Sequence, residues 1–397
     1  MFRAYGSASL VALVALVAFE TGCTVVTSCP TGTGNNPPSG GGGDTSGGGS
    51  GNNGGGAASG SSGFGSTGVP LADWTNVTSN LSGLASECGN LSFVSAKPDE
   101  DLLIAGVALK GLWSSVDAGQ TWEQLGTGAG SDMVINRTSA IVYDPDHPKQ
   151  FWESGLYGGI GVFKTTDDGK TLLGLGEIRH SDLVAVDFSD PDRQTLLSGG
   201  HEQPQTLNLT TDGGKTWANI GAPLPDKTNC TRPMIIDSST FLVGCGGYGG
   251  GVTGIYRSTD TGVTWTSVST LGGGPPPLRA SDGSIYWTTP GTGVLARSTD
   301  DGQTWSAASP SGLLRDLSPI ELPDGRLAAL AQGGQGIAVS PDQGATWQLA
   351  TPTLPYLDGQ GLAYSTQQKA FYLWRFSCTD NVPDDAIQRS EFDYEAK

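Results

Sequence analysis

From about residue 88 to the C-terminus, the chain alternates short apolar runs with clusters of Gly, Asp, Pro and Ser. One such unit reads "SAIVYD", a turn "PDHPK", then "QFWESG", "GVFKTT" and a second turn "DDGK". Short runs rich in Val, Ile, Leu and aromatic residues, bounded by turn residues, are typical of β-strands. No long stretch has the apolar period of an amphipathic helix. The pattern therefore predicts an all-β protein made of repeated units.

A motif close to "STDDGQTW" recurs six times, each time after a predicted strand. Its third residue is always aspartate, at Asp117, Asp167, Asp212, Asp260, Asp300 and Asp342. Successive aspartates are 50, 45, 48, 40 and 42 residues apart, which is the length of one four-stranded β-propeller blade. We predict a seven-bladed β-propeller over residues 69–397, with blades beginning near residues 88, 130, 178, 228, 274, 312 and 358.

The last predicted blade lacks the motif and needs an outer strand from elsewhere in the chain. The segment "DWTNVT" at 73–78 has the Trp and following apolar residue that come after each motif. We therefore expect residues 73–78 to pair with the C-terminal blade. This pairing would close the ring and remove the free edges of an open sheet.

The repeated motif has the composition of a structural hairpin. Its aspartate can accept hydrogen bonds from nearby backbone N–H groups, and its glycine permits the positive φ of a tight turn. The Trp at the eighth position can pack between neighbouring sheets, and Leu172 replaces it in one copy. All six aspartates are therefore predicted to be structural.

The motif resembles the Asp-box, or bacterial neuraminidase repeat, found in sialidases, xyloglucanases, the Vps10-type domain of sortilins and photosystem assembly propellers. In those families the boxes lie on the face away from the ligand. The resemblance implies that any binding or catalytic site of this chain lies on the opposite face.

The first 68 residues have the composition of an export and anchoring segment. Residues 1–22 contain Arg3 and an apolar run from Leu10 to Phe19, as in a signal peptide. Gly22 and Cys23 resemble the end of a bacterial lipoprotein signal, which implies lipidation of Cys23. Residues 23–68 are rich in Gly, Ser, Asn and Pro and are expected to be a disordered tether. The alternative is plain secretion, with a disulfide between Cys23 and Cys29.

Export would permit disulfides among the six cysteines. Cys230 and Cys245 flank a predicted turn at near-opposite positions, so we expect them to be bonded. Cys88 and Cys378 lie near the two ends of the predicted propeller, and a bond there would join its start to its end. Cys29 would have no partner if Cys23 is lipidated.

The acidic net charge of the chain limits which macromolecules it can bind. The chain has 39 acidic and 21 basic residues, a formal net charge of −18. Such a chain would repel nucleic acid, so a glycan or a protein surface is the expected partner. No GxGxxG motif lies between a strand and a helix. No cofactor or metal is assigned, and the protein is expected to be a monomer.

Five arginines fall where the chain should line the central channel, one in each of five blades. They are Arg137, Arg179, Arg232, Arg279 and Arg315. Converging guanidinium groups would bind a carboxylate, phosphate or sulfate. The alternative is that each arginine pairs with a local Asp or Glu.

Two segments of the third blade, "RHSD" at 179–182 and "GGHEQPQ" at 199–205, carry most of the candidate catalytic chemistry. His180, Asp182, His201 and Glu202 could meet at the channel mouth. Two imidazoles and two carboxylates could hold a divalent metal or act as acid and base. The alternative is a hydrogen-bonded loop anchor.

Two glycine-aromatic loops offer a different contact. Tyr157 in "GLYGGIG" and Tyr248 in "GCGGYGGG" could stack on sugar rings. The glycine runs could instead be turns that allow neighbouring strands to approach closely.

These features favour a binding module at the cell envelope, anchored in the outer membrane or secreted, that recognises a glycan or a protein. The alternative is a glycoside hydrolase acting through Glu202, Asp182 or another channel carboxylate. The Phe/Tyr-Arg-Ile-Pro signature of sialidases is absent, as are a serine nucleophile elbow and an HExxH sequence. Hydrolysis therefore has no motif in its support.

Overall fold

The computed structural model describes residues 64–66, 71–98, 100–246 and 251–396. The signal segment, nearly all of the predicted tether, Cys23, Cys29 and Tyr248 lie outside the described residues. Within the described ranges, no helix is both long and apolar enough to cross a membrane.

Seven sheets make up the propeller. Six have four antiparallel strands, and the seventh has four antiparallel strands and one parallel strand at its edge. Strands β1 (Gly65–Ser66) and β2 (Thr75–Asn76) come first in the chain. Blades 1 and 2 contain β3 (Leu91–Ala96), β4 (Leu103–Val107), β5 (Gly111–Ser115), β6 (Glu123–Gln124), β7 (Arg137–Tyr143), β8 (Phe151–Leu156), β9 (Val162–Thr165) and β10 (Leu173–Gly174). Blades 3 and 4 contain β11 (Ser181–Val186), β12 (Leu196–Gly200), β13 (Leu207–Thr210), β14 (Ala218–Asn219), β15 (Cys230–Ile235), β16 (Phe241–Cys245), β17 (Gly254–Ser258) and β18 (Thr266–Ser269).

The remaining blades repeat the same order. Blades 5 to 7 contain β19 (Leu278–Arg279), β20 (Ile285–Thr288), β21 (Leu295–Ser298), β22 (Ser306–Ala307), β23 (Ile320–Glu321), β24 (Leu327–Leu330), β25 (Ile337–Ser340), β26 (Gln348–Leu349), β27 (Gly361–Ser365), β28 (Ala370–Trp374) and β29 (Ile387–Glu391). Short 3₁₀ turns occupy Ser79–Leu81 and Gln332–Gly334. The predicted seven-bladed, all-β propeller is confirmed.

The hydrophobic core is divided into seven clusters, one between each pair of adjacent blades. Successive residues of a strand point to opposite sides of its sheet, so each second strand contributes to two clusters. Phe241 packs against blade 3 and Leu242 against blade 5. First strands of neighbouring blades contact one another, as β7 and β11 do, and therefore surround the central axis.

The ring closes between the two ends of the propeller. Strand β2 pairs antiparallel with β29, with Thr75 opposite Arg389 and Asn76 opposite Gln388. Strand β1 runs parallel to the outer edge of blade 6, and Phe64 packs against the cluster between blades 5 and 6. Residues 64–66 fall within the segment predicted to be tether, and their apolar contact explains why they join the sheet.

Two disulfides connect the described residues. Cys230 and Cys245 face each other across β15 and β16 and are bonded. Cys88 precedes the first blade, and its bond to Cys378 joins it to the loop between β28 and β29. This second bond crosses the seam where the ring closes.

The six motif copies form the same hairpin between the third and fourth strands of blades 1 to 6. In the fifth blade, Asp300 Oδ1 accepts hydrogen bonds from Ser298 Oγ at 2.8 Å and the Thr304 N–H at 2.9 Å, while Thr304 Oγ1 donates to Oδ2 at 2.6 Å. Gly302 has φ of +75°, and a Cβ there would lie 2.6 Å from Leu242 Cδ1 of the preceding blade.

The other five aspartates accept the same three hydrogen bonds. Hydrogen bonds led by that from the Thr121 hydroxyl lower the pKa of Asp117 to about 2. Those led by the Thr216 hydroxyl lower the pKa of Asp212 to about 2. The six carboxylates therefore accept hydrogen bonds within their own hairpins, as predicted for a structural role.

The hairpins define two faces of the propeller. Strands in each blade are antiparallel, so the third-to-fourth hairpins share a face with the first-to-second turns. We call this the hairpin face. The second-to-third loops and the connections between blades lie on the opposite face, which we call the loop face.

Glu153 is a fully buried carboxyl group in β8. Its Oε2 accepts a hydrogen bond from Asn136 Nδ2 at 3.1 Å. Burial raises the pKa of Glu153 to about 8, so the group is protonated at neutral pH in the folded protein.

Glu153 should make the free energy of unfolding fall as the pH rises from about 4.5 to 8. In this range the folded state keeps a proton that the unfolded state releases, a difference on the order of 4 kcal/mol. Below this range both states are protonated and the effect is absent. Urea unfolding at pH 5, 6.5 and 8 should show a flatter dependence for Glu153→Gln. The exposed Glu177→Gln is the control, and equal slopes for all three proteins would contradict the prediction.

Candidate functional site

The loop face contains a depression of about 280 Å³ between blades 3 and 6. Its polar lining consists of Asp182, His201, Glu202, Asn229, Thr231, Arg232 and Asp316. Pro275, Pro290 and Leu317 provide apolar surface beside them. All of these residues come from second-to-third loops, blade connections or the first residues of inner strands, so the depression lies away from the six hairpins.

β-bulges at the start of the inner strands position two of these polar groups. The pairing register shifts between Ser181 and Leu183 in blade 3 and between Cys230 and Arg232 in blade 4. Asp182 and Thr231 are the extra residues, and blades 1 and 2 have equivalent shifts. A bulge turns a side chain out of the regular alternation and is common beside active sites.

Asp182 is the buried centre of the polar network. Its Oδ1 lies 2.8 Å from Arg232 Nη1 and 3.0 Å from His201 Nδ1. Burial alone would raise the pKa of Asp182, but the Arg232 charge and the His201 hydrogen bond lower it well below its usual range. Asp182 is therefore ionised at neutral pH.

The network continues from His201 into blade 2. His201 Nε2 lies 2.9 Å from Tyr157 Oη, and the Arg137 guanidinium carbon lies 4.9 Å from the centre of the Tyr157 ring. An unbroken series of contacts thus runs from Arg137 through Tyr157, His201 and Asp182 to Arg232. It connects blades 2, 3 and 4 across the loop face.

His180 fixes the backbones of the two loops that carry the network. The Tyr157 N–H donates to His180 Nδ1 at 3.1 Å, and the His201 N–H donates to the His180 carbonyl at 2.6 Å. Tyr157, His180 and Glu202 have φ of +50°, +55° and +54°. Such left-handed conformations are costly for bulky residues and concentrate at functional sites.

The four candidates of the third blade are thus brought together, but not as a metal centre. His201 uses both ring nitrogens on Asp182 and Tyr157, and His180 Nδ1 accepts from a backbone N–H. Among the described residues, no group of three or more His, Cys, Asp or Glu is arranged to hold a metal ion. Glu202 is more exposed, with its Oε1 3.7 Å from His201 Nε2.

The five arginines do not converge on one anion site. Arg137 and Arg232 belong to the network around His201, and Arg137 also donates to the Cys88 carbonyl. Arg279 is a correction to the sequence prediction, because it lies on the hairpin face, 3.3 Å from Asp301 Oδ1. Strand β19 is only two residues long, so Arg279 is already at the end nearest the first-to-second turn.

The remaining two arginines, Arg179 and Arg315, are not part of the network around His201. Arg179 is exposed, and it makes no ion pair with any described residue. Arg315 is half-buried, and burial lowers the pKa of its guanidinium.

Tyr157, one of the two tyrosines expected to stack on sugar rings, has other contacts in the structure. Tyr157 packs edge-on against His180 and His201, with ring centres 5.5 and 5.2 Å apart, and Arg137 lies over its ring. Tyr157 is therefore part of a polar network rather than an open stacking surface, a contact that sequence spacing alone could not reveal.

No family model and no curated protein matches the chain. Solved structures that resemble it include the extracellular domain of a protein assigned as a hybrid two-component system from B. thetaiotaomicron, with TM-score 0.55, 12% identity, and coverage of 81% of this chain and 42% of that one. A second such domain, of a protein assigned as a one-component system from the same organism, has TM-score 0.52, 14% identity, and coverage of 81% and 40%.

A family 74 glycoside hydrolase, the xyloglucanase from Xanthomonas campestris, has TM-score 0.50 and 18% identity, with coverage of 80% of this chain and 55% of that one. The chain therefore spans about half of these proteins or less. At such low identity, the resemblance is one of fold.

Proposed function

We propose that the protein is an exported binding propeller, held at the cell envelope by its N-terminus, that recognises a neutral glycan through the depression on the loop face. The observation that carries this proposal is the composition of the depression. Glu202 and Asp316 present carboxylates beside the apolar surface of Pro275, Pro290 and Leu317. Carboxylates accept hydrogen bonds from sugar hydroxyls, while the apolar surface suits the C–H faces of sugar rings.

Charge and chain organisation support the same proposal. The net charge of −18 disfavours polyanions, and the Asp-box resemblance favours a ligand on the face away from the hairpins. The two disulfides are compatible with export. A lipid-modified Cys23 would place the propeller outside the membrane on its tether, and mass spectrometry of the mature N-terminus would test this anchor.

A glycan array followed by calorimetry on the full chain should identify neutral oligosaccharides that bind. Glu202→Gln and Asp316→Asn should each weaken binding at least tenfold, because each removes a charged hydrogen-bond acceptor. Glu177→Gln, outside the depression, should bind like the wild type. Binding only to a basic protein, or undiminished glycan binding by both variants, would contradict the proposal.

Three carboxylates, from Asp182, Glu202 and Asp316, line one depression, which favours a second candidate, a glycoside hydrolase. Asp182 is unsuited to the role of general acid because it is ionised and paired with Arg232. Release of reducing sugar from a polysaccharide by the wild type, and its loss in both Glu202→Gln and Asp316→Asn, would establish hydrolysis. Binding without release would retain the first proposal.

A further inference from the structure

Tyr157, His201 and Asp182 form a hydrogen-bonded series in the order of a nucleophile, a base and an orienting group. Tyr157 Oη lies 2.9 Å from His201 Nε2, and His201 Nδ1 lies 3.0 Å from Asp182 Oδ1. A hydroxyl within reach of an imidazole that a carboxylate orients is the arrangement of nucleophilic catalysis.

The charges determine the direction of the proton relay. Asp182 is ionised beside Arg232, and an ionised carboxylate can only accept hydrogen bonds. The tautomer with the proton on His201 Nδ1 fits this contact, and in that tautomer Nε2 is an acceptor. The Tyr157 hydroxyl then donates to Nε2 and is polarised towards the phenolate.

Arg137 adds to this polarisation from over the face of the Tyr157 ring. Its guanidinium carbon lies 4.9 Å from the centre of the Tyr157 ring. A fixed positive charge at this distance stabilises the negative charge that the phenol develops as it loses its proton.

The two glycines after Tyr157 have backbone N–H groups that are candidates for stabilising an oxyanion. Gly158 and Gly159 have φ of +56° and +94°, and Gly158 is exposed. In the described part of the chain, neither backbone N–H donates to an acceptor. Unoccupied N–H groups next to a nucleophile can stabilise the tetrahedral intermediate of acyl transfer.

We propose that Tyr157 is the nucleophile of an acyl-transfer site for small uncharged esters, with His201 as the general base and Asp182 as a positioning residue. Tyr157 Oη attacks the ester carbonyl carbon, and His201 Nε2 takes the phenolic proton. The carbon–oxygen bond to the leaving group breaks, and the leaving group receives that proton. Water, deprotonated by His201 Nε2, then attacks the acyl carbon of the aryl ester. The bond to the Tyr157 oxygen breaks, the acyl group leaves as a carboxylic acid, and His201 returns the proton to Tyr157. His201 and Asp182 also line the depression, but the acyl transfer does not require that a glycan binds there.

The test is covalent labelling of the full chain with p-nitrophenyl acetate, followed by peptide mass spectrometry. The acetyl group should form on Tyr157 at least tenfold faster than on Tyr256, which is partly buried like Tyr157. Tyr157→Phe should lose the fast p-nitrophenolate release, and Tyr256→Phe should keep it. Because general-base catalysis contributes about a hundredfold or more, His201→Gln should slow acetylation by at least that factor.

Asp182→Asn separates positioning from a structural role. It should lower kcat at least tenfold and leave KM within twofold, because the carboxamide no longer fixes the His201 tautomer. Acetylation of Tyr157 at the rate of Tyr256 in the wild type would overturn the proposal without any variant. So would His201→Gln with unchanged labelling, since the network would then only anchor the loops.

Discussion

Arg193→Ala is expected to reduce the free energy of unfolding by about 3–5 kcal/mol, the usual result of breaking a buried ion pair. Arg193 lies in the first-to-second turn of blade 3, and its side chain is 4% exposed. Its Nε and Nη2 donate to the two carboxylate oxygens of Asp144, each at 3.0 Å. The Asp144 side chain is fully buried in the equivalent turn of blade 2. The variant would leave this carboxylate without its arginine partner, with neutral hydrogen-bond donors such as the Gln150 amide remaining.

The remaining donors of Arg193 explain why lysine would not replace it. Nη1 donates to the carbonyls of Phe188 and Asp190 at 3.1 and 2.7 Å, and Nη2 also donates to Asp146. All five N–H groups of the guanidinium are therefore used, whereas a lysine ammonium has three. Arg193→Lys should lose roughly half as much stability as Arg193→Ala.

Urea unfolding at pH 7 measures both losses. Lys369→Ala is the matched control, because Lys369 pairs with Asp393 and Glu395 at an exposed position and should cost less than about 1 kcal/mol. The double variant with Asp144→Ala should be less destabilised than the sum of the single variants. An Arg193→Ala midpoint equal to that of Lys369→Ala would show that the pair contributes nothing.

The blade architecture could be predicted because every repeat contains the same short hairpin motif. In every copy the turn needs a glycine with positive φ and a carboxylate that binds its own hairpin, and both requirements are met within eight residues. The opposition of Cys230 and Cys245 follows from the same strand–turn–strand order. Local rules are enough where the partners are close in the chain.

The loop-face network needed information that a single sequence does not contain. The bulge at Asp182 changes which way its side chain points, and the sequence of β11 does not mark it. Tyr157 meets His201 because a left-handed backbone turns the loop of blade 2 towards blade 3. The burial of Glu153 could not be predicted from its own sequence position. Strand β8 is buried on both faces, so neither side of the strand leaves a charged residue exposed.

Ring closure gives the second large expected effect. A chain beginning at Ser79 should fail to form the native propeller or should unfold at a much lower urea concentration. A chain beginning at Phe64 retains every described residue and should match the full chain. The two chains differ by residues 64–78, which include β1 at the edge of blade 6 as well as β2. Most of the effect is expected from the loss of β2, which would expose the edge of β29 to solvent and to other chains.

The contacts of this segment show how much the truncation removes. The Val77 N–H donates to the Ile387 carbonyl at 3.0 Å, and the Ile387 N–H donates to Thr78 Oγ1 at 2.9 Å. The buried Trp122 donates from Nε1 to the Val77 carbonyl at 3.1 Å, so the first blade also depends on this strand.

Circular dichroism, urea unfolding and size-exclusion chromatography of the two truncated chains would measure the effect. Because the Cys88–Cys378 bond crosses the same seam, unfolding should be compared with and without reductant. Under oxidising conditions the bond should hold the first and last blades together and recover part of the loss. Equal unfolding of the chains beginning at Phe64 and Ser79 in reductant would mean that the first and last blades associate without the closing strand.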